Sequence, residues 1–204
     1  MTVTSRRRPG RPSGGKQVVD RNYVLDAAER AIRRDGPLVS LEAIAVEAGV
    51  TKPVIYARVG GRTELSNALS ARLADRIVES VLSAIAGQPT GHGALVSFLA
   101  ANLETVAAHR ELFLYVTGGS SDDSPQRSLY LASRSAAPLA SQLSQWRTAI
   151  GHDPAVGEAW SYAIIGMLQL ISLWWLNQSA LTANDLAEQL AELLWNGLRT
   201  PPLA

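Results

Sequence analysis

Residues 40–59 read Ser40-Leu41-Glu42-Ala43-Ile44-Ala45-Val46-Glu47-Ala48-Gly49-Val50-Thr51-Lys52-Pro53-Val54-Ile55-Tyr56-Ala57-Arg58-Val59. Leu41, Ile44, Ala45 and Ala48 recur at i, i+3, i+4 and i+7, which predicts a short helix with one apolar stripe. Ser40 is placed to cap its N-terminus, and Glu42 in the first turn suits the positive end of the helix dipole. Gly49 follows the last apolar position, where a left-handed residue ends a helix. Thr51 can cap a second helix, and Pro53 in its first turn has no intrahelical N–H partner to lose. Ile55 and Val59, one turn apart, point inward. Lys52, Pro53, Val54, Tyr56 and Arg58 are left on exposed or flanking faces. A buried back and a front of two cations, a phenol and small apolar groups suit a helix that enters the major groove of DNA.

The flanking sequence extends the pattern. Residues 21–36 predict an amphipathic helix with Val24, Leu25, Ala28 and Ile32 on one face, Asp20 as its cap and Gly36-Pro37 as its stop. Downstream, Gly60-Gly61-Arg62-Thr63-Glu64-Leu65 breaks the chain and opens another helix. Residues 21–65 resemble the tetracycline-repressor (TetR) family of bacterial transcriptional regulators. The likeness runs through the leucine and alanines of the first helix, the Ile44-Ala45 and Ala48-Gly49-Val50 steps of the second, Tyr56 of the third, and the basic residue opening the fourth. Two positions depart from the family pattern: valine stands at 59 where most members carry phenylalanine, and arginine at 62 where they carry lysine. Valine still fills an inward position with less area buried. Arginine keeps the charge and adds a planar fork of donors.

The resemblance implies an all-α protein of about nine helices, a three-helix DNA-binding head joined to a helical effector-binding and dimerisation domain. The expected boundaries are a basic arm over 1–19, the head over 20–65 and the second domain over 66–204. It further implies a cytoplasmic homodimer, with no cofactor, that represses transcription from a palindromic operator until a small molecule releases it. An architectural DNA-binding protein without an effector is the alternative reading.

Composition agrees with this division of labour. Residues 1–62 hold 12 Lys/Arg against 6 Asp/Glu, and residues 63–204 hold 7 against 12. A basic front and an acidic rear suit a chain whose N-terminal part meets nucleic acid. The chain has no cysteine, which excludes disulfides, thiolate metal sites and thiol catalysis. With 204 residues and 47% hydrophobic content it can fill a sizeable core. Residues 5–16 are Arg-, Pro- and Gly-rich without apolar residues, which predicts an unfolded arm and not a signal peptide. Arg6, Arg7, Arg8 and Arg11 either reach into the minor groove, as the AT-hook-like Arg-Pro-Gly-Arg-Pro suggests, or add non-specific attraction as a solvated tail.

After Leu65 the sequence predicts six helices, over 63–85, 94–108, 109–117, 126–150 with a break or kink near Pro138, 154–178 and 183–198. Residues 120–125 predict a polar loop. Residues 159–176 carry no charge, long enough to raise a membrane span. Gln169, Glu158, Asp153 and the lack of a Lys/Arg flank argue instead for a helix buried on two sides.

Site expectations follow. Lys52 reaches a guanine edge or else contacts phosphate only. Pro53 and Val54 pack on thymine methyls, unless Val54 merely fills a gap. Tyr56 donates to a phosphate, as the family's tyrosine does, or else only packs, and Arg58 serves a base or a phosphate. Thr51 caps its helix and touches phosphate; Arg62, with the N–H groups of the helix it opens, forms a phosphate site. By analogy Phe98, Leu103, Phe113, Tyr115, Trp146, Tyr162, Met167, Leu170 and Trp174 line an effector pocket for an apolar or amphipathic ligand, any one of them being otherwise ordinary core or dimer interface. Ala163, Gly166, Leu186, Leu190, Leu193, Leu194 and Trp195 form a dimer interface. His92, His109 and His152 read as solvated surface and Asp122-Asp123 as a polar loop, and no metal or catalytic constellation stands out.

Overall fold

The computed structural model describes residues 19–89, 91–118, 124–177 and 180–196. The described residues form helices and no strands: α1 (Arg21–Asp35), α2 (Leu41–Glu47), α3 (Lys52–Val59), α4 (Arg62–Ile85), α5 (His92–Ala108), α6 (Arg110–Thr117), α7 (Ser124–Ala149), α8 (Val156–Trp175) and α9 (Ala183–Asn196). The arm, with Arg6, Arg7, Arg8 and Arg11, lies outside the described residues, as do Asp122-Asp123 and most of the expected polar loop.

Local chemistry explains the head. The Asp20 carboxylate accepts from Tyr23 N at 2.8 Å, and Ser40 Oγ accepts from Ala43 N at 3.1 Å, so both expected caps are made. Thr51 differs. It occupies the N-cap position, but its side chain makes no capping hydrogen bond; its carbonyl accepts from Val54 N and Ile55 N. The turn between α2 and α3 needs Gly49 at φ 64, a left-handed conformation with no penalty when Cβ is absent. Ile44, Ile55 and Val59 are buried against Val24, Leu25, Ala28 and Ile32. Full burial of a residue such as Ile55 contributes about 2 kcal/mol. Tyr23 Oη donates to the Ala48 carbonyl at 3.2 Å and ties α1 to that turn.

The apolar core does not stop at residue 65. It runs from the head along Leu65, Leu69, Leu73 and Ile77 of α4 to Val106, Leu112, Phe113, Tyr115 and Val116 of α5 and α6. A second core joins Leu99 and Leu103 of α5 to Ile165, Leu168 and Trp175 of α8 and Leu186 and Leu190 of α9. Helix α7 packs chiefly on α8 and α4, and α9 on α5.

Ion pairs reinforce the joint between head and body. Glu29 of α1, mostly buried, accepts from Arg76 Nη2 at 2.8 Å and from Arg72 Nη1 at 3.3 Å; Arg72 also reaches Asp26 at 2.6 Å. Glu47 pairs with Arg30 at 2.8 Å and with Arg34. The α5–α6 corner sits beside this cluster, and burial, with Arg76 and Arg33 adding and Glu29 opposing, holds the His109 imidazole below its usual pKa. Because the folded state disfavours the proton, stability is full above about pH 6.5 and falls as pH drops below it. His109→Gln should therefore flatten the difference in urea midpoint between pH 7.5 and pH 5.5. An unchanged difference would assign the acid sensitivity to other groups.

Helix α7 is continuous through Pro138, so of the break or kink expected there the break is absent. The proline lacks the backbone donor that would bond the Arg134 carbonyl, and its ring lines the cavity described below. Helix α8 is the one described helix long and apolar enough to cross a membrane. Its apolar surface has two separate uses, argued below.

Candidate nucleic-acid interface and ligand cavity

Helix α3 presents Thr51, Lys52, Pro53, Tyr56 and Arg58 to solvent, with Val54 half-buried and Ile55 and Val59 inward. The buried face fixes the helix against α1 and α2, so the exposed face is held rigidly. Lys52 is already engaged: its Nζ donates to Glu42 Oε2 at 2.9 Å. That contact lowers the Glu42 carboxyl and raises the Lys52 ammonium from their ordinary pKa values. Glu42 suited the dipole in the sequence; the fold adds its proximity to Lys52, ten residues on. Arg62 also has a partner, donating from Nη2 to the Val39 carbonyl at 3.1 Å. Arg62 is otherwise exposed at the N-terminus of α4, where the N-cap residue, Gly61, has no side chain to cap the helix.

The Glu42 carboxylate both holds Lys52 and adds a negative charge where phosphates would approach. Glu42→Gln should tighten binding to duplex DNA about three-fold at low salt, with the gain shrinking as salt rises. A salt titration by fluorescence anisotropy measures this. No change at low salt would mean that Lys52 leaves Glu42 at no cost.

The second site is a cavity of about 790 Å³ bounded by α4, α5, α7, α8 and the end of α9. Its volume falls within the range of small-molecule sites, about 300–1,000 Å³. Ile77, Val78, Val81, Leu82 and Ile85 of α4 form one wall, Leu95 and Phe98 of α5 another, and Leu139, Trp146, Trp160 and Ile164 much of the rest. Among the described residues no lining group carries a charge. Arg147 lies next to the rim without lining it: its guanidinium stacks over the Trp160 ring at 4.6 Å, and its Nε donates to the Asp153 carbonyl.

Of the residues expected around the pocket, Phe98 and Trp146 line this cavity. Leu103 and Tyr115 are fully buried in the two cores, and Phe113 borders a small void of about 20 Å³ beneath the cavity floor. Met167 packs against the second core. Tyr162, Leu170 and Trp174 are exposed on the outer face of α8, away from the cavity. The residues expected at the dimer interface divide as well. Ala163, Leu194 and Trp195 line the cavity, Leu186 and Leu190 are buried against α5, and Gly166 and Leu193 are exposed. The α4 wall was overlooked, although Ile77, Val78, Val81, Leu82 and Ile85 form an apolar face wider than one packing neighbour needs.

The histidines are less uniform than expected. His152 is exposed, but the His92 ring stands edge-on to Trp195 at 6.0 Å with Nε2 buried. Among the described residues no cluster of His, Asp and Glu could hold a metal ion.

Comparison with known proteins matches this geometry. The family model for "Bacterial regulatory proteins, tetR family" matches residues 24–69, and that for "Tetracyclin repressor-like, C-terminal domain" matches residues 64–202. An uncharacterized HTH-type transcriptional regulator of Mycobacterium tuberculosis is 28% identical over 186 residues, covering 89% of this chain and 78% of its own length. Among solved structures, the fatty acid degradation regulator FadR of Bacillus halodurans superposes with a TM-score of 0.69 at 18% identity, covering 91% of this chain and 100% of its own. FadR of Bacillus subtilis, solved in complex with stearoyl-CoA, gives a TM-score of 0.66 at 18% identity, covering 87% and 99%. At that identity the structures speak for the fold, while the two family models between them span the head and the body. With its helix-turn-helix and its helical second half both matched, the chain belongs to the TetR family of transcriptional regulators.

Proposed function

We propose that the protein is a homodimeric repressor whose two heads read a palindromic operator, and that a small molecule in the α4–α8 cavity releases it. The observation that carries this reading is the pairing of a rigidly backed, exposed α3 with a cavity open at one end, its described lining uncharged, walled by α4, the helix that begins at the head. A ligand that fits only one position of α4 changes the separation of two heads and so shifts the dimer away from operator geometry. Working on chromosomal DNA, it acts in the cytoplasm.

Dimerisation is supported by the outer face of α8. Tyr162, Gly166, Leu170 and Trp174 recur every fourth residue and form one exposed apolar stripe, with Leu193 and Trp195 of α9 also exposed. Glu158 is the one charged residue of that helix. A second copy covering the same stripe gives an isologous four-helix interface. That contact also accounts for the hydropathy of α8 without a membrane. One recognition helix buries too little surface for a selective site, whereas two read both halves of a palindrome.

Selection of duplexes from a random pool, with sedimentation of the free and bound protein, tests the reading. A palindromic consensus bound by a dimer is expected; broad coverage without a consensus would favour an architectural protein instead. On the selected duplex Lys52→Ala should cost about 1–3 kcal/mol and on random DNA little. Equal losses on both would reduce Lys52 to a phosphate contact.

A further inference from the structure

We infer that the cavity takes an electrically neutral ligand, an apolar body carrying one uncharged hydrogen-bonding group that Asn102 and Ser135 hold at the cavity floor. The inference rests on the proposed role of the cavity as the effector site and specifies its chemistry. Asn102 of α5 and Ser135 of α7 line both the cavity and the small void beneath it. They are 5% and 7% exposed, whereas the rim residues Leu82, Trp160 and Trp195 are 49%, 41% and 53% exposed. Both polar groups therefore sit at the deep end.

Neither side chain is hydrogen-bonded by another described residue. An asparagine amide has two N–H donors and a carbonyl acceptor, and burying it unpaired is unfavourable. In the void below, Ser172 Oγ is buried without a partner. The floor thus offers both donors and acceptors to a ligand atom, which a hydroxyl, ketone or amide satisfies.

The same floor rejects an anion. A carboxylate there would lose its hydration with no cation to replace it, because among the described residues no lining group is charged. At the rim Arg147 is committed to Trp160 and the Asp153 carbonyl. Among the described residues nothing at the mouth resembles the Arg or Lys cluster that a coenzyme A phosphate needs. The stearoyl-CoA of the Bacillus subtilis structure therefore does not fit this lining.

Three probes with one chain length separate the possibilities: dodecanol, dodecanoate and dodecanoyl-CoA. Binding to the full-length protein is read by calorimetry and by the fluorescence of the lining tryptophans, Trp146, Trp160 and Trp195. Dodecanol should bind at least about ten-fold more tightly than dodecanoate. Asn102→Leu should weaken dodecanol about ten-fold and leave the weak dodecanoate binding little changed. Ser135→Ala, a milder change that carries the test should Asn102→Leu fail to fold, should weaken dodecanol about three-fold. Tighter binding of dodecanoate or dodecanoyl-CoA than of dodecanol, or full dodecanol affinity in both variants, would overturn the inference. If none of the three binds, the effector reading falls with it. If dodecanol binds as expected but leaves the selected duplex bound, the neutral-ligand inference stands and the release mechanism falls.

Discussion

Leu170→Glu is expected to convert the protein to a monomer at micromolar concentration and to weaken operator binding by about a thousand-fold. Leu170 is 71% exposed, so within one subunit the substitution removes little burial and leaves the fold intact. In a twofold contact along α8 each copy would face its partner's stripe, and the change would place two carboxylates in an apolar interface without cations. An unpaired charge there is strongly unfavourable. A monomer carries one α3, so it retains half of the base contacts and a phosphate footprint half as large. Sedimentation equilibrium and anisotropy on the selected duplex read both effects. An unaltered dimer mass would place the contact elsewhere, and a monomer with full operator affinity would remove the need for two heads.

Gly157→Ala should destabilise the protein by about 3 kcal/mol, lowering Tm by roughly 10 °C. Gly157 is buried where α8 starts against α7. An added Cβ would lie 2.9 Å from the Ser144 backbone nitrogen and 3.2 Å from the Ala140 carbonyl oxygen. Backbone atoms cannot swing aside as a side-chain terminus can, so the two helices must separate. Among the described helices their mutual packing is the most extensive, and both line the cavity. Intrinsic propensity points the other way, because alanine favours a helix by about 1 kcal/mol over glycine. A calorimetric melt decides between them: a raised Tm would mean that α7 and α8 do not approach this closely.

Much of the head is legible in residues 20–65. The caps at Asp20 and Ser40, the left-handed Gly49, and the inward Ile55 and Val59 all follow from local rules. Each concerns groups within a few residues of one another, so no distant information is required. Thr51 is instructive because position alone identified it as the cap. Whether its hydroxyl turns to a backbone N–H depends on side-chain geometry that residue type leaves open. The Lys52–Glu42 pair was hidden for another reason: it joins two helices across the turn, and its distance is set by their crossing.

The rear of the chain divides differently. Periodicity and breakers are enough for helices α4 to α9 and for the apolar character of α8. They are not enough to say which side of α8 does what. A helix apolar around most of its circumference has no single hydrophobic phase, so Tyr162, Leu170 and Trp174 look as fit for a pocket as Ala163 does for an interface. The neighbours make the distinction. Packing on α7 and α5 buries Ser161, Ile165, Leu168 and Ser172, turns Trp160, Ala163 and Ile164 toward the cavity, and leaves the 162–166–170–174 row outside. The amino-acid sequence by itself determined the helices, the capped head and the exposed face of α3, because those depend on short-range hydrogen bonding and spacing. Only the tertiary structure decided where the cavity lies and which groups meet on its floor, because the relative rotation of packed helices is set by many distant contacts together.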